Sequence, residues 1–267
     1  MTRINHIYEF NCRKNGRSDT EFVKFEYGKN YLEKRIVGIG NYMVGSSSSF
    51  LADKNRKVII LVHGYRGVYD KIVTVYDRMA ENIDNHSRYE KVDVLNFFWP
   101  SSWSRTLGFY FAKKRTQEAA KWLMRAVQAL KNIGYLEENI IIQGHSLGCE
   151  VIEHFIRREV AEFVGKVVFA APAITNSFYE KTISDVSAGF IKDYFKEDIH
   201  VVFSKNDPVL KYFFRLFPKE HWSSAALGHQ PSKQIVDAGI FTIHDYSDIV
   251  HSHSGHSKLK QYYSEIL

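Results

Sequence analysis

Cysteine is nearly missing: among 267 residues only Cys12 and Cys149 carry a thiol, which excludes a disulfide framework. Long apolar runs are missing too. No stretch approaches the roughly 20 residues of a membrane-spanning helix, so no transmembrane segment is expected. Met1–Glu9 carries charged and polar residues where a signal peptide has an apolar region, and the expected location is cytoplasmic. The 36 Lys and Arg residues against 30 Asp and Glu leave a charge of +6, but they are interspersed and form no basic arm. That excludes nucleic acid as a partner and leaves a modest bias toward anionic surfaces or substrates. Low complexity is confined to Ser46–Ser49, and no internal repeat appears.

What is present is enough for one sizeable core: 45% of residues are apolar and 15% aromatic. A single domain over 1–267 follows, with N-terminal strands and a connecting loop in 1–50 and the main body in 57–267. Residues 4–12 and 21–27 read as a leading antiparallel pair, and Tyr42–Phe50 as a loop crossing to the main sheet. From Lys57 buried strands alternate with amphipathic helices. Strands are expected at Val58–Val62, Val92–Phe98, Ile140–Ile142, Val167–Ala170, Ile199–Phe203 and Ile240–His244. Helices are expected at Ile72–Ile83, Ala112–Ile133, Cys149–Val160, Tyr179–Phe195 and Ser257–Ile266. This alternation predicts an α/β fold with a mostly parallel central sheet and helices on both faces. Right-handed crossovers then bring every strand's C-terminal end to one edge.

The chemistry gathers just after those strand ends. Gly144-His145-Ser146-Leu147-Gly148 is a G-x-S-x-G sequence between a buried strand and a helix, the setting of a nucleophilic serine on a strained turn. The Leu147 N–H would open the helix beside Ser146. His63-Gly64-Tyr65 follows the first core strand, and its glycine allows a turn that offers the Tyr65 N–H as a second oxyanion donor. His63, Gly64 and His145, with Trp99 and Trp103 after the second core strand, are expected to line the substrate pocket. Asp207 follows another strand and is suited to hold a histidine tautomer. His251, His253 and His256 crowd one loop near the C-terminus. His256 is the preferred general base because it abuts a helix, and His253 is its rival. The chain order serine, acid, histidine fits a hydrolase.

From about Lys57 onward the chain resembles the α/β-hydrolases of the DUF900 type, presumed serine hydrolases. The likeness rests on His63-Gly64-Tyr65, Phe98-Trp99-Pro100-Ser101, Gly144-His145-Ser146-Leu147-Gly148, Ala171-Pro172-Ala173-Ile174, Ser204-Lys205-Asn206-Asp207, Gly228 before Val236-Asp237, and Gly255-His256-Ser257. The family's usual aromatic pair after Gly-His-Ser is replaced by Lys258-Leu259. The resemblance implies an α/β-hydrolase fold with nucleophile Ser146, acid Asp207 and base His256. The expected reaction is esterase- or lipase-like cleavage of a small-molecule ester, thioester or amide through an acyl-enzyme, without cofactor or metal. Two other readings stand beside it. One is a metal hydrolase using His251-x-His253-x-x-His256, although Gly255 occupies the place of that signature's aspartate. The other is a non-catalytic binding module on the same fold. Oligomeric state is not legible.

Overall fold

Runs dominated by Val, Ile and Phe decide which segments form the central sheet, because a strand covered on both faces has no side to give to water. The computed structural model describes residues 3–12, 21–26, 37–38, 55–65, 69–101, 108–157, 164–177, 180, 199–214, 224–239 and 241–267. Its strands are β1 (Ile4–Asn11), β2 (Glu21–Glu26), β3 (Val37–Gly38), β4 (Lys57–Val62) and β5 (Val92–Phe98). They continue as β6 (Ile140–His145), β7 (Lys166–Ala170), β8 (Ile199–Phe203) and β9 (Phe241–Asp245). The sheet order is β3-β2-β1-β5-β4-β6-β7-β8-β9. β2 pairs antiparallel with both β1 and β3, whereas β1 also runs parallel to β5 and so extends the main sheet.

Alternation along each strand divides the core in two. Val58, Ile60, Val62, Ile140 and Ile142 face helices α2 (Gly108–Asn132) and α3 (Gly148–Ile156). Ile59, Leu61 and Ile141 face α1 (Tyr69–His86) and the C-terminal Tyr262, Tyr263 and Ile266. Both layers are buried, and each fully buried Val or Ile contributes about 1.5–3 kcal/mol relative to exposure. α4 (Lys233–Asp237) is a short helix capped by Ser232, whose hydroxyl accepts from the Ile235 N–H.

The expected closing helix over 257–266 is not continuous. A 3-10 turn at Gly255–Lys258 ends at an extended Leu259, and a separate wide turn follows at Tyr262–Ile266. Burial of Tyr262, Tyr263 and Ile266 beneath the sheet overrides the helical spacing of that segment. The expected loop at 42–50 and, Glu180 apart, the expected helix at 179–195 lie outside the described residues.

Parallel register aligns the strand ends. Val62 pairs with Phe97 and Gly144, His145 with Ala170, Ala170 with Val202, and Phe203 with Asp245. Residues directly after β4, β6, β7, β8 and β9 therefore share one edge.

Candidate active site

Ser146 sits where β6 turns into α3 with φ of 55°, a left-handed backbone that a non-glycine residue holds only when its surroundings enforce it. Two backbone bonds supply that enforcement: the Ser146 N–H donates to Ala170 O at 3.0 Å and its carbonyl accepts from the Ala173 N–H at 3.2 Å. Close packing supplies the rest. A Cβ on Gly148 would lie 2.4 Å from Val62 O, so only glycine lets α3 press against the end of β4. In the first turn of α3 the Cys149 N–H bonds Ser146 O and the Glu150 N–H bonds Leu147 O, leaving the Leu147 N–H without an intrahelical acceptor.

The His63-Gly64-Tyr65 turn lies against this elbow. A Cβ on Gly64 would meet Ser146 Cβ at 2.9 Å, so the glycine is what lets the loop touch the serine. His63 fixes the loop's orientation. Its Nδ1–H donates to Gly64 O at 2.9 Å, while its Nε2 accepts from the Trp99 N–H at 3.2 Å. Because the Gly64–Tyr65 peptide is trans, turning its carbonyl to His63 directs the Tyr65 N–H the opposite way.

Trp99 corrects a sequence expectation. Rather than lining an open pocket it is fully buried, stacked on His63 at 5.6 Å between ring centroids, with its indole N–H donating to His63 O at 2.7 Å. The indole is thus a brace behind the loop, and His63 is also buried in that brace. Trp103 lies outside the described residues.

The acid–histidine pairing is also not the one expected. Asp207, buried after β8, joins Oδ2 to Nδ1 of His253 at 2.6 Å. Its Oδ1 accepts from the N–H groups of Val209 and Leu210 at 2.9 and 3.1 Å. His256 does not make this contact: it is buried with ring contacts to His145 at 5.2 Å and Tyr262 at 5.2 Å. The 3-10 turn at Gly255–Lys258 carries it inward, while His253 stays partly exposed.

His145 is the contact that motif reading missed. Its Nε2–H donates to the backbone carbonyl of His253 at 2.9 Å, and the two rings lie 4.8 Å apart. One side chain from the elbow thereby holds the loop that carries the partner of Asp207. Among the described residues the Ser146 hydroxyl makes no hydrogen bond to an imidazole. No group of three or more His, Cys, Asp or Glu among them is placed to hold a metal ion.

A family model described as an alpha/beta hydrolase of unknown function, DUF900, matches residues 46–260. The chain belongs to the DUF900 family of α/β hydrolases. A search of curated proteins finds no match. Similar solved structures include a variant of SOBER1 from Arabidopsis thaliana, 13% identical, covering 78% of this chain and 96% of that one at a TM-score of 0.45. Esterase B from Lactobacillus rhamnosis is 10% identical, covering 97% and 81% at a TM-score of 0.47. A phospholipase/carboxylesterase from Dyadobacter fermentans is 14% identical, covering 79% and 88% at a TM-score of 0.41.

Electrostatics separate the three histidine and carboxylate roles in this DUF900 protein. Burial opposes charge on Asp207, yet the hydrogen bond and charge of His253 and the N–H groups of Leu210 and Val209 outweigh it and hold the carboxyl below its usual range. Burial, reinforced by the neighbouring His253, lowers His145 to about 4, so it is a neutral donor. Burial, with His145 and His253 nearby, also pushes His256 well down and keeps it uncharged.

Proposed function

We propose that this DUF900 protein is a serine hydrolase in which Ser146 is the nucleophile, His253 the general base and Asp207 the acid. The observation that carries the reading is the Asp207–His253 bond on the same strand-end edge as the strained Ser146 turn. This reading replaces His256 with its rival three residues earlier.

Asp207, kept ionised, fixes the Nδ1–H tautomer of His253 and frees Nε2 to accept a proton. Substrate arrival closes the Ser146–His253 contact, since such bonds are commonly long in the free enzyme. His253 takes the Ser146 proton as Oγ attacks the carbonyl carbon. The negative charge that develops on the carbonyl oxygen is received by the Leu147 and Tyr65 N–H groups, each worth about 3 kcal/mol in the transition state. Collapse of the tetrahedral species expels the leaving group, which takes the proton from His253 and leaves an acyl-Ser146 ester. Water, deprotonated by His253, then releases the acid and restores Ser146.

An ester or thioester, carboxylesterase- or lipase-like, is the proposed substrate class. Hydrolysis of a short-chain nitrophenyl ester panel by wild type and Ser146→Ala tests this. Turnover that falls on the order of 10⁴-fold in the variant supports the reading, and equal rates overturn it.

A further inference from the structure

Large apolar residues left in water are unevenly placed. Of the eight most exposed among the described residues, five follow strands at the active edge: Tyr110 and Phe111 after β5, Val209 and Tyr212 after β8, and Ile249 after β9. Tyr212 is 60% exposed and Tyr110 43%. Each of these segments also sends a neighbour inward to the site. Phe109 meets Tyr65 edge-on at 5.5 Å, and Leu210 packs with Ala171 and Ala173, the latter bonded to Ser146 O. Val250, beside Ile249, is buried with Tyr246. The outward residues are thus held at the rim by packing rather than loosely exposed, on both sides of β6.

Charge follows the same rim. The rim end of α2, before Glu118, carries Lys113, Lys114 and Arg115 and no acid. A helix rises 1.5 Å per residue, so Lys113, Lys114 and Arg115 lie about 6–9 Å along α2 from Phe109, within reach of the rim. Lys114 covers the Tyr110 ring at 4.3 Å and Lys211 the Tyr212 ring at 5.3 Å. Among the described residues the exposed acids at the C-terminal ends of β8 and β9 are Asp245 and Asp248, and Lys205 lies 3.6 Å from the former. Aromatic side chains with lysines at their flanks suit a boundary between acyl chains and phosphate headgroups.

We propose that this edge docks on an anionic lipid bilayer, with Tyr110, Phe111, Val209, Tyr212 and Ile249 entering the interface and Lys113, Lys114, Arg115 and Lys211 facing lipid phosphates. Under the hydrolase reading, on which this part rests, the acyl substrate of Ser146 is then drawn from the lipid phase. The far end of α2 is not part of the contact. Lys121 and Arg125 line a groove of about 440 Å³ with Trp122. They lie about 18–24 Å along α2 from Phe109, beyond a Debye length at physiological salt.

Vesicle flotation on a Ser146→Ala background separates docking from catalysis. The protein is expected to float with phosphatidylcholine vesicles containing about one-third phosphatidylserine, not with phosphatidylcholine alone, and to be released by salt. Tyr110→Ser with Phe111→Ser, and Lys114→Glu with Lys211→Glu, are each expected to lower partitioning about tenfold or more. Lys121→Glu with Arg125→Glu is expected to change it less than about twofold. Hydrolysis of a soluble short-chain ester, measured on the same rim variants with Ser146 restored, is expected to stay unchanged and reads the triad alone. No flotation with anionic vesicles, equal flotation with neutral ones, or an equal loss from the Lys121 and Arg125 reversals overturns the proposal.

Discussion

His145 joins two functions that a motif keeps apart: it belongs to the serine turn, and its ring N–H holds the carbonyl of His253. In the proposed mechanism His253 is the base, and a shift of about 1 Å in such a group can cost 10²-fold in rate, so this bond would act through geometry rather than chemistry. His145→Leu, which retains volume but no donor, is expected to lower kcat by about tenfold to a hundredfold with KM little changed. His145→Gln, whose amide can donate, is expected to recover most of that loss. An unchanged kcat in His145→Leu would remove the positioning role. The choice between His253 and His256 was not legible for a related reason: three histidines two and three residues apart in a loop have no periodicity to say which turns inward. Trp99 misled because an aromatic after a strand reads equally as pocket wall or core, and its hydrogen bond to His63 is a long-range contact.

At the scale of elements, the sheet was legible and its fringe was not. Apolar runs at Val58–Val62, Val92–Phe98 and Ile199–Phe203 lie in β4, β5 and β8 because a doubly covered strand leaves a strong signal. The C-terminal segment broke its helical expectation at Leu259, where tertiary burial of the tyrosines that follow decides the path. β1 joining the main sheet in parallel was not foreseen either, since strand order depends on partners distant in sequence. The turn between β6 and α3 has no slack: Gly148→Ala would drive a methyl into Val62 O and His63 O. Its expected cost is about 3 kcal/mol, measured as a fall in denaturant midpoint at unchanged m. A loss below about 0.5 kcal/mol would show that the elbow relaxes freely.

Over the whole molecule, buried titratable groups set how stability follows pH. His145 and His256 have folded values below the 6.5 of an exposed imidazole, so the unfolded chain binds more protons as pH falls. Their contribution is present above about 6.5 and is lost progressively toward the folded value of about 4 for His145. Asp207 adds a further loss only as pH falls through its lowered value, beneath 3.8. Glu153 acts in the opposite sense. Burial, only partly offset by Arg157 and His154, raises it to about 7, so its contribution is present below 4.5 and is lost as pH rises toward 7. A Tm profile is therefore expected to fall between pH 6.5 and 4, and His256→Phe to make that fall shallower; an identical slope in the variant would contradict this assignment.

The central claim is that His253, and not His256, activates Ser146. Intact-mass measurement of fluorophosphonate labelling decides it in four folded proteins: wild type, Ser146→Ala, His253→Ala and His256→Phe. The account predicts one adduct, at Ser146, in wild type and in His256→Phe, with none in Ser146→Ala and labelling slowed on the order of 10³-fold or more in His253→Ala. Rapid labelling of His253→Ala, or its loss in His256→Phe with wild type labelled, would contradict it.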